Sequence, residues 1–216
     1  MDKKRVLIVE DVRLFSDLLA RTLSSYLDIV GSAREGSTAI KLAAEHKPDA
    51  VLMDIELEGP MDGIEAAIKI KEARPSTGIV ILSSHNDRRY VTSLPLVDMP
   101  GWAYLLKQTA PDIDTVLRAI DASMNGMVML DPSVVEGLKP RKDSILASLT
   151  PRQLEVLQLI AEGHNNSSIA EHLVIAEKSV ETYINAIYQN LNVSGEPGIH
   201  PRVSAAMIFI EESQNA

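Results

Sequence analysis

The chain has 216 residues, with 21 Lys and Arg against 30 Asp and Glu, a formal charge of −9 and no cysteine. Hydrophobic residues at 45% and charged residues at 24% supply enough apolar material for a core and exclude a generically disordered chain. No apolar run approaches the ~20 residues of a membrane-spanning helix, and disulfides and thiolate metal sites are excluded. Only four apolar residues precede Glu10 and Asp11, too few for a signal peptide, so the chain is expected in the cytoplasm. The acidity, taken alone, argues against binding nucleic acid. It is also uneven: residues 1–125 carry net −4, residues 126–144 net 0, and residues 145–216 net −5, with Arg152, Lys178 and Arg202 against eight acids.

In chain order, short apolar runs at 5–9, 28–33, 49–53, 78–83 and 102–106 predict strands. Between them, Leu14, Leu18, Leu19, Leu23 and Tyr26 recur at helical spacing, as do Ile64, Ala67 and Ile68, then Ile113, Val116, Leu117, Ile120 and Met124. The alternation predicts an α/β fold over residues 1–125, a doubly wound, five-stranded parallel sheet. A helix from 87 to 94 is expected to be short, because Pro95 and Pro100 follow it. Trp102, the only tryptophan, reads either as sheet packing or as part of an interaction surface. Residues 126–148 read as a linker with a short helix at 132–138.

Residues 149–216 read as helices only. Thr150 is a capping residue, Pro151 suits the first helical position and Gly163 is a stop. Helices are expected at 166–173, 177–191 and 202–212, with a turn through Val174–Ala176. Two helices joined by a tight turn, the second with a polar face, make a helix-turn-helix.

Chemistry in open α/β sheets gathers at the carboxyl ends of the strands. Those ends carry Glu10 and Asp11, Asp54, Ser83 and Lys107, which should converge on one edge. Clustered carboxylates repel one another unless a cation neutralises them, and an incomplete shell of oxygen ligands suits Mg²⁺. A carboxylate beside such a metal can accept a phosphoryl group, with Lys107 pairing with its oxygens and Ser83 hydrogen-bonding to one.

The segments VLIVED (6–11), LMDIELEGPMDG (52–63), IVILSSH (79–85) and YLLK (104–107) resemble the receiver domain of bacterial two-component response regulators, a flavodoxin-like fold. The resemblance implies that Asp54 is the phosphoryl acceptor, supplied by a sensor histidine kinase. It also implies that Asp11, Asp54 and the Glu56 main-chain carbonyl bind Mg²⁺ with help from Glu10. Ser83 and Tyr104 form a switch pair, and Lys107 contacts the phosphoryl group. The loop after Asp54 is one residue longer than the family's commonest form, with Glu58 where proline often stands. It is expected to be reshaped while the acceptor chemistry persists.

The segments 149–163 and 165–193 resemble the LuxR-type helix-turn-helix of the NarL/FixJ family, which implies a phosphorylation-controlled, DNA-binding transcription regulator that acts as a homodimer. The domains are then a receiver (1–125), a linker (126–148) and a DNA-binding domain (149–216). On the recognition helix Lys178, Glu181, Thr182 and Asn185 are the candidate DNA contacts, with Thr182 and Asn185 suited to base edges. The family usually places Lys or Arg where Glu181, Gln189 and Asn190 stand, and a capping serine at Ala176. Phosphate neutralisation dominates DNA affinity, so a single copy is expected to bind weakly. Dimerisation, with the 202–212 helix (Val203, Ala206, Met207, Ile210) as the expected interface, would compensate. The alternative is a phosphorylation-gated adaptor whose helix-turn-helix binds a protein instead. The chain is not expected to be an enzyme.

Overall fold

The computed structural model describes residues 3–84, 94, 100–108, 112–136, 144–193 and 200–213. The chain divides into two compact units, Met1–Asn86 with Gly101–Gly126, and Asp87–Pro100 with Met127–Ala216.

In the first unit the strands are β1 (Arg5–Val9), β2 (Asp28–Ala33), β3 (Ala50–Asp54), β4 (Gly78–Ser83) and β5 (Trp102–Leu106). They lie in the order β2-β1-β3-β4-β5, and every neighbouring pair is parallel. The helices are α1 (Arg13–Leu23), α2 (Gly36–His46), α3 (Gly63–Ala73) and α4 (Ile113–Met124). Strands β3, β4 and β5 are buried at every residue, which is why they read as unbroken apolar runs rather than alternating ones. Four of the five expected strands match their observed bounds; β3 starts and ends one residue later than expected.

The doubly wound parallel architecture is as expected, and among the described residues a sixth strand is assigned beyond the five expected. The sixth, β6 (Val128–Leu130), is three buried residues inside the stretch expected to be a linker. That stretch also carries a short helix, α5 (Pro132–Glu136), and a 3₁₀ turn, Ile145–Ser148. The expected helix at 87–94 lies outside the described residues except for Leu94, which is buried. On α1 the helical spacing holds, but Leu14 and Leu18 are exposed. Tyr26 lies beyond the helix and is also exposed. Trp102 is fully buried in the sheet, the packing role of its two readings, and its indole N–H is unpaired among the described residues.

The second unit holds α6 (Pro151–Ala161), α7 (Asn166–Leu173), α8 (Glu177–Asn190) and α9 (Pro201–Ser213). Thr150 caps α6 in a capping box with Gln153, and Pro151 occupies the first turn. Gly163 ends that segment at φ +80°, and a Cβ there would lie 2.6 Å from the Met129 side chain, so glycine is required twice over. The α7–α8 turn passes through Val174 at φ +52°. Ala176, as expected, offers no side-chain cap to α8.

Candidate functional site

The carboxyl ends of β1, β3 and β5 bring Glu10, Asp54 and Lys107 together. Parallel register fixes this, since Val9 pairs with Met53, Asp54 with Leu82, and Ser83 with Leu106. Lys107 Nζ lies 2.7 Å from Glu10 Oε2 and 2.9 Å from Asp54 Oδ2. Glu10, Asp11 and Asp54 each offer a carboxylate oxygen, and these oxygens lie within 4.8 Å of one another. Glu10 and Asp54 are buried, and Asp11 is half-buried. Three carboxylates against one lysine leave an excess of negative charge in a poorly solvated place, so the donor set fits a hard divalent cation.

Burial holds the Glu10 and Asp54 carboxyls above their ordinary values, against the opposing pull of Lys107. The main-chain N–H groups of Ile55 and Glu56 also donate to Asp54. Burial opposes the charge on Lys107, but its bonds to Glu10 and Asp54 outweigh burial and hold it above its ordinary value. The Phe15 ring supports the same ammonium, with its centroid 4.9 Å from Nζ.

The β3–α3 loop is built to pass close to Asp54. Gly63 begins α3 where a Cβ would stand 1.7 Å from the Asp54 carbonyl oxygen, so no side chain fits. Its N–H donates to Ile55 O at 2.8 Å, and Asp62 caps α3 by accepting from Glu65 N at 2.8 Å. Ser83 and Tyr104 are buried on adjacent strands, and Lys107 N donates to Ser83 O at 2.7 Å. Glu56 is exposed just beyond Asp54.

Two contributors were not singled out by the sequence reading. Phe15, on α1, places its ring beside the Lys107 ammonium, a contact that its apolar character alone does not signal. Arg34 lies one residue past β2, whose carboxyl end is not among the strand ends that carry acidic, hydroxyl or lysine side chains. Applied to every strand, the strand-end rule reaches it.

In the second unit Lys178, Glu181, Thr182 and Asn185 are all exposed on α8, while Val180, Ile184 and Ile187 are buried. Among the described residues of this unit the other two basic side chains, Arg152 and Arg202, have internal roles. Arg152 pairs with Glu155 at 2.6 Å and donates to Leu173 O at 2.7 Å, closing the end of α7. Arg202 donates to Asn166 Oδ1 at 3.1 Å and to His164 O, and burial lowers its pKa. One expectation is corrected here. Val203, Ala206, Met207 and Ile210 are buried in the core of the unit, where α9 packs on α6, so they do not present a surface to a second copy.

A parallel sheet with an acidic strand-end cluster, followed by a helix-turn-helix, defines a two-component receiver joined to a regulatory output domain. Residues 6–121 match the response regulator receiver domain, and residues 147–200 match the bacterial regulatory proteins of the luxR family. The chain therefore belongs to the response regulators with a LuxR-type output domain, and it is a DNA-binding transcription regulator of that family. Its relatives include the transcriptional regulatory protein LiaR of Bacillus subtilis (strain 168), 37% identical over 198 residues, covering 88% of this chain and 92% of that one. Another is the nitrate/nitrite response regulator protein homolog of Haemophilus influenzae, 30% identical over 99% of each chain. Among solved structures, one of two RcsB dimers bound to two parallel DNAs shares the fold. It matches with a TM-score of 0.55 at 22% identity, covering 96% of this chain and 99% of that one.

Proposed function

We propose that Asp54 accepts a phosphoryl group from the phosphohistidine of a sensor kinase. The observation that carries this reading is a buried Asp54 carboxylate 2.9 Å from Lys107 and grouped with Glu10 and Asp11. Asp11, Asp54 and the Glu56 main-chain carbonyl would hold Mg²⁺, with Glu10 beside them. When bound, the ion neutralises the clustered carboxylates and the phosphoryl oxygens. An Asp54 oxygen attacks phosphorus, the P–N bond to the donor histidine breaks as the new P–O bond forms, and the departing imidazole nitrogen takes up a proton. Lys107 then exchanges one carboxylate partner for a phosphoryl oxygen. Ser83 hydrogen-bonds to another phosphoryl oxygen, and Tyr104 follows it as the second half of the switch. The chain's own chemistry ends with slow loss of the phosphoryl group, so it acts as a regulator rather than an enzyme.

The receiver corresponds to residues 1–125 and the output domain to 149–216, with 126–148 between them. Phosphorylation favours a homodimer in the cytoplasm whose two α8 helices engage promoter DNA. Thr182 and Asn185 face base edges, Lys178 faces phosphate, and Glu181 limits affinity. The family membership of the output domain and of the relatives supports DNA over a protein partner. The test is labelling with acetyl phosphate and Mg²⁺. Asp54→Asn is expected to abolish incorporation, and undiminished labelling of that variant refutes the assignment.

A further inference from the structure

The loop after Asp54 carries Glu58 and is longer than the family's commonest form, yet it is held firmly, by contacts centred on Arg34. This residue follows β2 directly and joins two loops. Its Nε donates to the Asp11 main-chain carbonyl at 3.1 Å, and its Nη2 donates to the Glu58 carboxylate. Its own carbonyl accepts from Glu58 N at 3.2 Å, and Glu35 forms an isolated parallel bridge with Glu58. Beyond Glu58, Met61 lies against Gly36, where a Cβ would be 3.0 Å from its sulfur. The β1–α1 loop bearing Asp11 and the β3–α3 loop leaving Asp54 are thereby fixed to one another through the end of β2.

We infer that Arg34, with Glu58, is a positioning residue that sets the separation of the Asp11 and Asp54 loops and so the affinity of the site for its divalent cation. The inference rests on the reading of that site as an Mg²⁺-dependent phosphoacceptor. Mg²⁺ takes near-ideal octahedral geometry at about 2.0–2.1 Å, so loops displaced by a few tenths of an ångström hold it poorly. Groups that orient metal ligands without touching the ion typically contribute about 10- to 100-fold in affinity. The Arg34–Glu58 pair is half exposed, with side-chain exposures of 53% and 46%. Exposed pairs add little to global stability, so the contribution is to geometry.

Charge gives the test its direction. Removing a cation from the neighbourhood of a metal site strengthens Mg²⁺ binding if electrostatics alone operates, whereas removing a clamp weakens it. Mg²⁺ alone is titrated into the full, unphosphorylated chain by calorimetry, and thermal unfolding is followed on each variant. Arg34→Ala is expected to weaken Mg²⁺ about 10-fold with an unchanged unfolding midpoint. Glu58→Gln is expected to weaken it less, because the bond to Asp11 survives. The double variant is expected to match Arg34→Ala alone, since both act through one connection. Equal or tighter Mg²⁺ binding by Arg34→Ala overturns the inference, as does a double variant whose loss is the product of the two single losses. Asp11→Asn is the control: if it binds Mg²⁺ as well as the parent chain, the metal-site reading itself fails, independently of Arg34.

Discussion

Lys71, on the last turn of α3, is only 2% exposed. Its ammonium donates to Thr77 O at 2.8 Å and Pro75 O at 3.3 Å, and no carboxylate pairs with it among the described residues. Two neutral carbonyls do not replace the hydration of a full charge. Burial accordingly lowers the Lys71 pKa from 10.5 to about 8. The unfolded chain, with the higher pKa, binds more protons between those values, so stability rises with pH across that interval. Below about 8 both states are charged and the cost of the buried charge is present in full; above 10.5 both are neutral and it vanishes. A displacement of this size corresponds to about 3 kcal/mol.

The assay is urea unfolding of the full chain between pH 7 and 10.5, following the transition of the first unit, for the parent and Lys71→Met. Methionine fills similar volume without charge, although it leaves the Thr77 and Pro75 carbonyls without this donor, which costs about 1–3 kcal/mol. The informative quantity is therefore the pH dependence and not the absolute stability. The parent is expected to gain about 3 kcal/mol relative to Lys71→Met on going from pH 7 to 10.5. Other lysines and tyrosines titrate in both proteins and cancel in the difference. Parallel pH curves for the two proteins refute the argument that Lys71 is charged, buried and unpaired.

Much of the first unit was legible because β3, β4 and β5 are buried at every residue, and fully buried parallel strands leave unbroken apolar runs bounded by polar residues. The site was legible for a related reason, since parallel strands must deliver Glu10, Asp54, Ser83 and Lys107 to one edge. What escaped depends on partners that no periodicity reveals. Leu14 and Leu18 keep helical spacing yet face solvent, because spacing defines a face but not what covers it. Val203, Ala206, Met207 and Ile210 form a convincing apolar stripe, and the same pattern serves an intermolecular seam or, as here, a core. β6 is three residues long, below the length at which alternation or an apolar run stands out. Arg34 acts through a main-chain carbonyl and a carboxylate in two separate loops, a relation visible only once β2 is laid beside β1 and the β3–α3 loop.

The second unit yields two further predictions. Ala176 starts α8 in an extended conformation without a side-chain acceptor, so Ala176→Ser should stabilise that unit by about 1 kcal/mol in denaturant unfolding. No gain would mean that the orphan N–H groups of α8 already find sufficient partners. The second concerns DNA. With Arg152 and Arg202 committed to Leu173 O, Glu155, His164 O and Asn166, Lys178 is the one cation of residues 145–216 that faces outward without an internal ion pair among the described residues. A dimer then neutralises about two phosphates, and log K should fall with log salt with a slope near −2, roughly a tenfold loss between 50 and 200 mM. Proteins making 6–10 phosphate contacts lose about 10³- to 10⁵-fold over the same range. The acidity of this unit and the internal commitment of its arginines thus lead to the same number. A thousandfold loss on titrating the phosphorylated chain against its promoter in rising salt would refute the view that α8 engages DNA with little help from charge.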